Sequence, residues 1–174
     1  GSDERRTTRR ALAGRADDGC MGVRETVLDA ALQNQFGLAD TVVDEAVLRS
    51  TARRFRERGI VMPTFAQLAA PHGVPLTVVG DADPQAADPR NLWRVHWYND
   101  LHGGRVDVPE HVVLPPELTG IDSPVLVVLG NRFPMISTHK VLAAYACLAP
   151  RVVTGQFDPT HHRAIWPSTG NYAR

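Results

Sequence analysis

Apolar positions follow three successive patterns along the chain. Up to residue 22 they show no period, and Arg5, Arg6, Arg9 and Arg10 are mixed with acidic residues, which predicts a mobile arm. Helical spacing follows. Val27, Leu28, Ala31 and Leu32 form one stripe over about 24–36, with Gly37 as a natural stop. A second helix is predicted over about 41–58, capped by Asp40 or Thr41 and ended by Gly59. Val43, Val47, Thr51 and Phe55 share its inner face, whereas Arg49, Arg53, Arg54, Arg56 and Arg58 read as a solvated outer face. A third helix starts at Thr64, where Thr64 and Gln67 have the spacing of a capping box, and stops at Pro71.

The second pattern is alternation. A Pro/Asp-rich loop, "GDADPQAADPR" (80–90), leads into "LWRVHWYN". There Trp93, Val95 and Trp97 would face one side and Arg94, His96 and Tyr98 the other, as in a half-buried strand with an exposed polar face. The third pattern is a continuous apolar run, "PVLVVLG", bounded by Pro124 and Gly130, which predicts a strand buried on both faces. A loop (131–137), a helix over about 138–148 ended by Pro150, a short run Arg151–Thr154, a strand at "HRAIWP" and a turn at "STGN" into another helix follow. Strand, helix, strand, turn, helix is the grammar of a parallel α/β sheet. The predicted organisation is therefore a mobile arm (1–22), a helical N-terminal extension (23–90) and the start of an α/β domain (91–174).

Composition alters this picture little. The 174 residues are 43% apolar with zero net charge, so no global field points to nucleic acid or an anionic membrane. No run approaches the roughly 18 apolar residues of a spanning helix, and the N-terminus lacks a secretory h-region. A cytoplasmic protein is expected, with Cys20 and Cys147 as free thiols. The seven histidines show no helical i, i+4 pair, so no metal is expected. Trp93, Trp97 and Tyr98 beside Arg94 hint at base stacking, but a core role suits the tryptophans better.

One feature departs from the bulk. Of the 19 lysines and arginines, Lys140 is the sole lysine. Arginine-rich usage is ordinary codon bias, but a site needing a deprotonatable amine cannot drift to guanidinium. Lys140 stands at the start of its predicted helix, with Ser137 or Thr138 able to cap; the positive end of the helix dipole disfavours an ammonium there. A second candidate is "PSTGN", Pro167–Asn171, with two hydroxyls, a glycine that admits close backbone approach, and an orientable amide.

The segment 112–174 resembles the cysteine synthase and tryptophan synthase β-subunit family of pyridoxal-phosphate (PLP) enzymes, fold type II. The likeness rests on "LPPELTG", the strand "PVLVVLG", "NRFP", "STHK" opening a helix, and the Ser-Thr-Gly-Asn loop, whose Asn171 lies 31 positions after Lys140. His139, the two residues inside "NRFP" and the Leu-Gly strand end depart from the family's usual pattern. The resemblance implies a parallel-sheet PLP domain. It also implies Lys140 as the Schiff-base lysine and base for the substrate Cα proton, Asn171 on the cofactor's 3′ oxygen, and Ser168, Thr169 and Gly170 around the substrate carboxylate. The implied activity is β-elimination or β-replacement on an amino acid. His139 is expected to tune the site without binding metal, and Lys140 to face a cleft beside Ser168–Asn171. The family's phosphate cup has no counterpart before Arg174. The 174 residues are therefore expected to belong to a longer protein, or to be completed by another chain such as the second copy of a homodimer, and not to catalyse alone. A non-catalytic fragment or partner subunit with only architectural likeness is the alternative.

Overall fold

The computed structural model describes residues 41–170, so the expected arm, the expected helix at 24–36 and Asn171 lie outside the described residues. Helix α1 spans Glu45–Glu57 and packs against the long C-terminal helix, α4, Lys140–Val153. Its cap is Asp44, whose carboxylate accepts the Val47 N–H at 3.0 Å, and not Asp40 or Thr41. The later start follows from tertiary contact: the amides of Val43 and Asp44 both donate to the Thr154 carbonyl, which fixes where the chain joins the helix. Thr51 is buried on the inner face, and Gly59, at φ 64°, provides the left-handed residue that ends the helix. Arg49 and Arg53 pair with Glu45 and Glu57 one turn away on the solvated face.

Helix α2, Phe65–Ala69, carries the expected reciprocal box: Thr64 Oγ1 accepts the Gln67 N–H and the Gln67 side chain accepts the Thr64 N–H. It delivers Leu68 into a core with Val95, Tyr145 and Ala149, residues drawn from both sides of residue 90. The Tyr145 hydroxyl donates to the Pro63 carbonyl at 2.6 Å, so the buried phenol anchors the segment leading into α2.

Several expectations are corrected. The segment 92–99 is not a strand: Pro89–Arg94 forms a 3₁₀-helix, followed by a bend and an isolated antiparallel bridge between Asn99 and Arg105. Pro89 presets a helical φ, Asp88 caps the turn through the Arg90 N–H, and the Asn91 amide donates to the carbonyls of Asp83 and Ala86. These local bonds satisfy backbone groups that a strand would need to pair elsewhere. Arg94 and His96, expected on an exposed face, are buried.

The apolar run forms β2, Val125–Val128, but antiparallel to β1, His111–Leu114, with Val113 opposite Leu126. The connection runs through a short helix, α3, Pro116–Thr119, ended by Gly120 at φ 70°. Such a short connection permits only an antiparallel pair, since a parallel one requires a long crossover. Among the described residues there is no parallel sheet, and both faces of the ribbon are exposed. The fold is α/β only in the loose sense of helices with one small antiparallel sheet.

Helix α4 runs past its expected end. It continues through Pro150 to Val153, where Thr154 Oγ1 donates to the Pro150 carbonyl; the guanidinium of Arg151 donates to the Cys147 carbonyl. These side-chain bonds give the Cys147 and Pro150 carbonyls extra partners around the proline. Arg151–Thr154 is therefore helix end, and "HRAIWP" is irregular, with Ile165 81% exposed. No helix among the described residues is long and apolar enough to cross a membrane.

Candidate functional site

Lys140 is the first residue of α4, so its backbone amide has no acceptor within the helix itself. The N-cap position belongs to His139, which makes no side-chain cap; instead the buried Thr138 offers its hydroxyl to the Lys140 N–H at 3.5 Å. Lys140 is half-buried.

The loop ahead of it is tightly held. Its start is tied to β1 by Leu129 N–H on the Glu110 carbonyl at 2.9 Å and by an ion pair between Arg132 and Glu110. Phe133 is fully buried and meets Trp97 edge to face, with ring centroids 5.0 Å apart. Trp97 also carries the His139 imidazole, stacked at 5.6 Å with 22° between planes. Residue 130 must be glycine for this packing, since a Cβ there would lie 2.7 Å from His139 Nδ1.

Met135 and Ser137 both have positive φ, 67° and 47°, which is costly for residues with a Cβ. Two bonds to the 80–90 loop hold them: Met135 N–H to the Pro84 carbonyl at 2.8 Å and Ser137 Oγ to Gln85 Oε1 at 3.1 Å. Strained backbone of this kind persists where surrounding structure over-determines it, and here it sets the approach to Lys140.

The second predicted motif is placed less closely. Ser168 is half-buried, and Thr169 and Gly170 are exposed. The Gly170 N–H donates to Ser168 Oγ at 3.0 Å, closing the turn on itself. The turn is linked to the lysine at one remove: Trp166 and Val141, the immediate neighbours of the two motifs, line one apolar cavity of about 460 Å³ together with Met135, Leu92 and Tyr145. Lys140 itself is not among that cavity's lining residues.

The stack of Trp97 on His139 is not legible in the sequence, where Trp97 falls in an expected strand and His139 is expected to tune the site beside the lysine. Of the two arginines that line a second cavity, Arg94 is legible in the sequence as part of an Arg94/His96 face able to hold an anion, although a solvated strand face is the preferred reading; Arg105 is not singled out. The signal for them was the Asn91…Asn99 pair flanking Arg94, since buried asparagines fasten irregular backbone.

Among the described residues no three His, Cys, Asp or Glu side chains converge as metal ligands. Cys147 is an exposed free thiol. No family model, curated protein or solved structure matches the chain.

Proposed function

We propose that the chain carries the lysine segment of a PLP-dependent lyase or transferase, acting by β-elimination or β-replacement on an amino acid. The observation that carries this reading is the placement of the sole lysine as the first residue of α4, directly after a strand and a strained loop. Strand, loop, lysine, helix is the order on which the resemblance rests.

The residues present fit such a group in three respects. Lys140 offers an amine at a helix start; the Trp97–His139 stack presents a flat, partly buried platform next to it in the chain; the Thr138 hydroxyl lies beside the same backbone. When bound, PLP supplies an electron sink for the charge that develops at the substrate Cα. The chain's own part would be to hold the cofactor through Lys140 Nζ and, once the substrate amine has displaced that nitrogen, to take and return the Cα proton there. Asn171 would orient the cofactor's 3′ oxygen, and Ser168, Thr169 and Gly170 would bind the substrate carboxylate. Val141 and Trp166, next to the two motifs in the chain, share one cavity wall, whereas Lys140 and Ser168–Gly170 lie outside that lining.

The second reading, a non-catalytic partner subunit, draws support from the exposed apolar ribbon β1–β2, a surface suited to another chain. One experiment separates the two. The protein is incubated with PLP, reduced with borohydride, digested and mapped by mass spectrometry. The enzyme reading expects phosphopyridoxyl modification at Lys140, lost in Lys140→Arg. Modification confined to the N-terminal amine, or none at all, would reject it and leave the partner-subunit reading.

A further inference from the structure

A second cavity, of about 220 Å³, lies between the loop that follows α2 and the segment 93–105. Its lining joins apolar Val74, Leu76, Val79 and Trp93 to Arg94 and Arg105, and contains neither Asp nor Glu. Arg94 is only 8% exposed. Its Nε donates to the Gly103 carbonyl at 3.1 Å, and its Nη1 to the Ala82 carbonyl at 2.9 Å and to Asn91 Oδ1 at 2.6 Å. Arg105 Nη1 donates to the carbonyls of Pro71 and Val74, each at 2.6 Å. All these acceptors are neutral oxygens. Among the described residues neither guanidinium takes part in an ion pair, and the Nη2 groups of both make no hydrogen bond. Buried charge normally finds a counter-ion, because desolvation is costly without one. Here two cations, Arg94 buried and Arg105 half-buried, are fixed in position by neutral groups around one cavity.

His96, also in the lining, reports the local field. It is 5% exposed, and its Nδ1 accepts the Tyr98 N–H at 3.1 Å. Burial first, and then the basic groups Arg105, His72 and Arg94, hold its pKa down to about 4. The potential in this cavity therefore disfavours a cation and favours an anion. The nearby carboxylate of Asp100 lies outside the lining behind Gly104, where its Oδ1 accepts the His102 and Gly104 amides; its charge offsets part of this field.

We propose that this cavity is a binding site for a small monocarboxylate with an apolar body, the carboxylate meeting Arg94 and Arg105 and the hydrocarbon lying along Trp93, Leu76 and Val79. Guanidinium suits carboxylate because its paired N–H groups match the two oxygens. The volume suits a ring or short chain, since a cavity of about 150 Å³ accepts benzene. A bare inorganic anion would gain from the two guanidiniums but nothing from the apolar part of the lining. This site is independent of any role for Lys140.

The test uses the full chain labelled with ¹⁵N and follows the Trp93 indole resonance, whose N–H donates to the Val61 carbonyl at 3.1 Å. Benzoate should give a saturable shift, and the neutral isostere benzamide should bind at least about tenfold more weakly, a difference of about 1.4 kcal/mol. Val79→Phe, which fills the cavity and keeps both arginines, should abolish benzoate binding. Arg105→Gln should weaken benzoate without affecting benzamide, and Arg105→Lys should retain part of the preference. Equal binding of benzoate and benzamide would show an apolar pocket with no anion site. Inorganic phosphate binding more tightly than benzoate would show an anion site with no use for the hydrocarbon wall. Unchanged benzoate binding in Val79→Phe would place the ligand elsewhere. Each of these three results overturns the proposal, and the Val79→Phe arm decides it even if Arg105→Gln does not fold.

Discussion

His96 shows how one side chain couples the interior to pH. Alternation placed it on a solvated strand face, but the 3₁₀ turn at Pro89–Arg94 carries it inside. Burial, then Arg105 and His72, hold its pKa down to about 4 from the ordinary 6.5. The folded protein therefore keeps His96 neutral at pH values where the unfolded chain binds a proton. The unfolded state takes up more protons between these two values, so stability rises with pH across the window. The contribution is complete above pH 6.5 and is lost as pH falls toward about 4. A shift of this size corresponds to a loss on the order of 3 kcal/mol. Urea denaturation at a series of pH values should show that decline, and His96→Gln, which cannot titrate, should give a flat profile over the same window. Parallel profiles for the two proteins would mean that His96 is not held neutral. Below the window Asp158 adds a second loss, since hydrogen bonds from Thr160 and then His161 hold its carboxyl below the usual range.

At the scale of elements, chemistry confined to a few neighbouring residues was legible, and pairing between distant residues was not. The capping box at Thr64 and Gln67, the stop at Gly59 and the solvated arginine face of α1 each depend on residues within about a turn, and each is present. A Thr64→Ala change removes the acceptor for the Gln67 N–H and should cost about 1 kcal/mol of stability. The cost should be read as a lower urea midpoint with an unchanged slope, because Leu68 would still reach the core. No shift in midpoint would mean that packing of Leu68 alone holds α2. The failures have the opposite character. "LWRVHWYN" has a strand's alternation, but Asn91 and Asn99 reach backbone carbonyls that periodicity does not register. "PVLVVLG" has the composition of a doubly buried strand, but composition does not name its partner, and β1 is the nearest one the short connection allows. Pro150 stops most helices; here α4 runs on to Val153, with the Arg151 side chain on the Cys147 carbonyl and the Thr154 side chain on the Pro150 carbonyl. The candidate site divides in the same way. Lys140 at a helix start follows from local signals, whereas the Trp97–His139 stack joins residues far apart in sequence.

At the scale of the whole molecule, the largest departure from an ordinary globular surface is the β1–β2 ribbon. Val112, Val113, Leu126, Val127 and Val128 are 43–58% exposed and occupy both faces of the pair. A lone two-stranded ribbon is marginal in water, and its outer edges present unpaired amides and carbonyls. Natural edges are usually blunted by charge, proline or a bulge, but the eight ribbon residues include no Lys, Arg, Asp, Glu or Pro. The ribbon is thus the part of the molecule most disposed to pair with another chain, and concentration-dependent self-association in dilute buffer is expected. Val113 and Leu126 stand directly opposite each other, so the double change Val113→Lys, Leu126→Glu replaces an apolar cross-strand pair with an opposite-charge one and keeps the ribbon's own pairing favourable. Sedimentation velocity across a concentration series should show the parent moving toward larger species while the double variant remains at the mass of a single chain. Circular dichroism should be unchanged between them. If both proteins sediment as single chains at every concentration, the exposed ribbon is not sufficient to recruit another copy. If both associate equally, the contact lies elsewhere, and the nearest alternative is the apolar wall of the cavity lined by Trp166 and Val141.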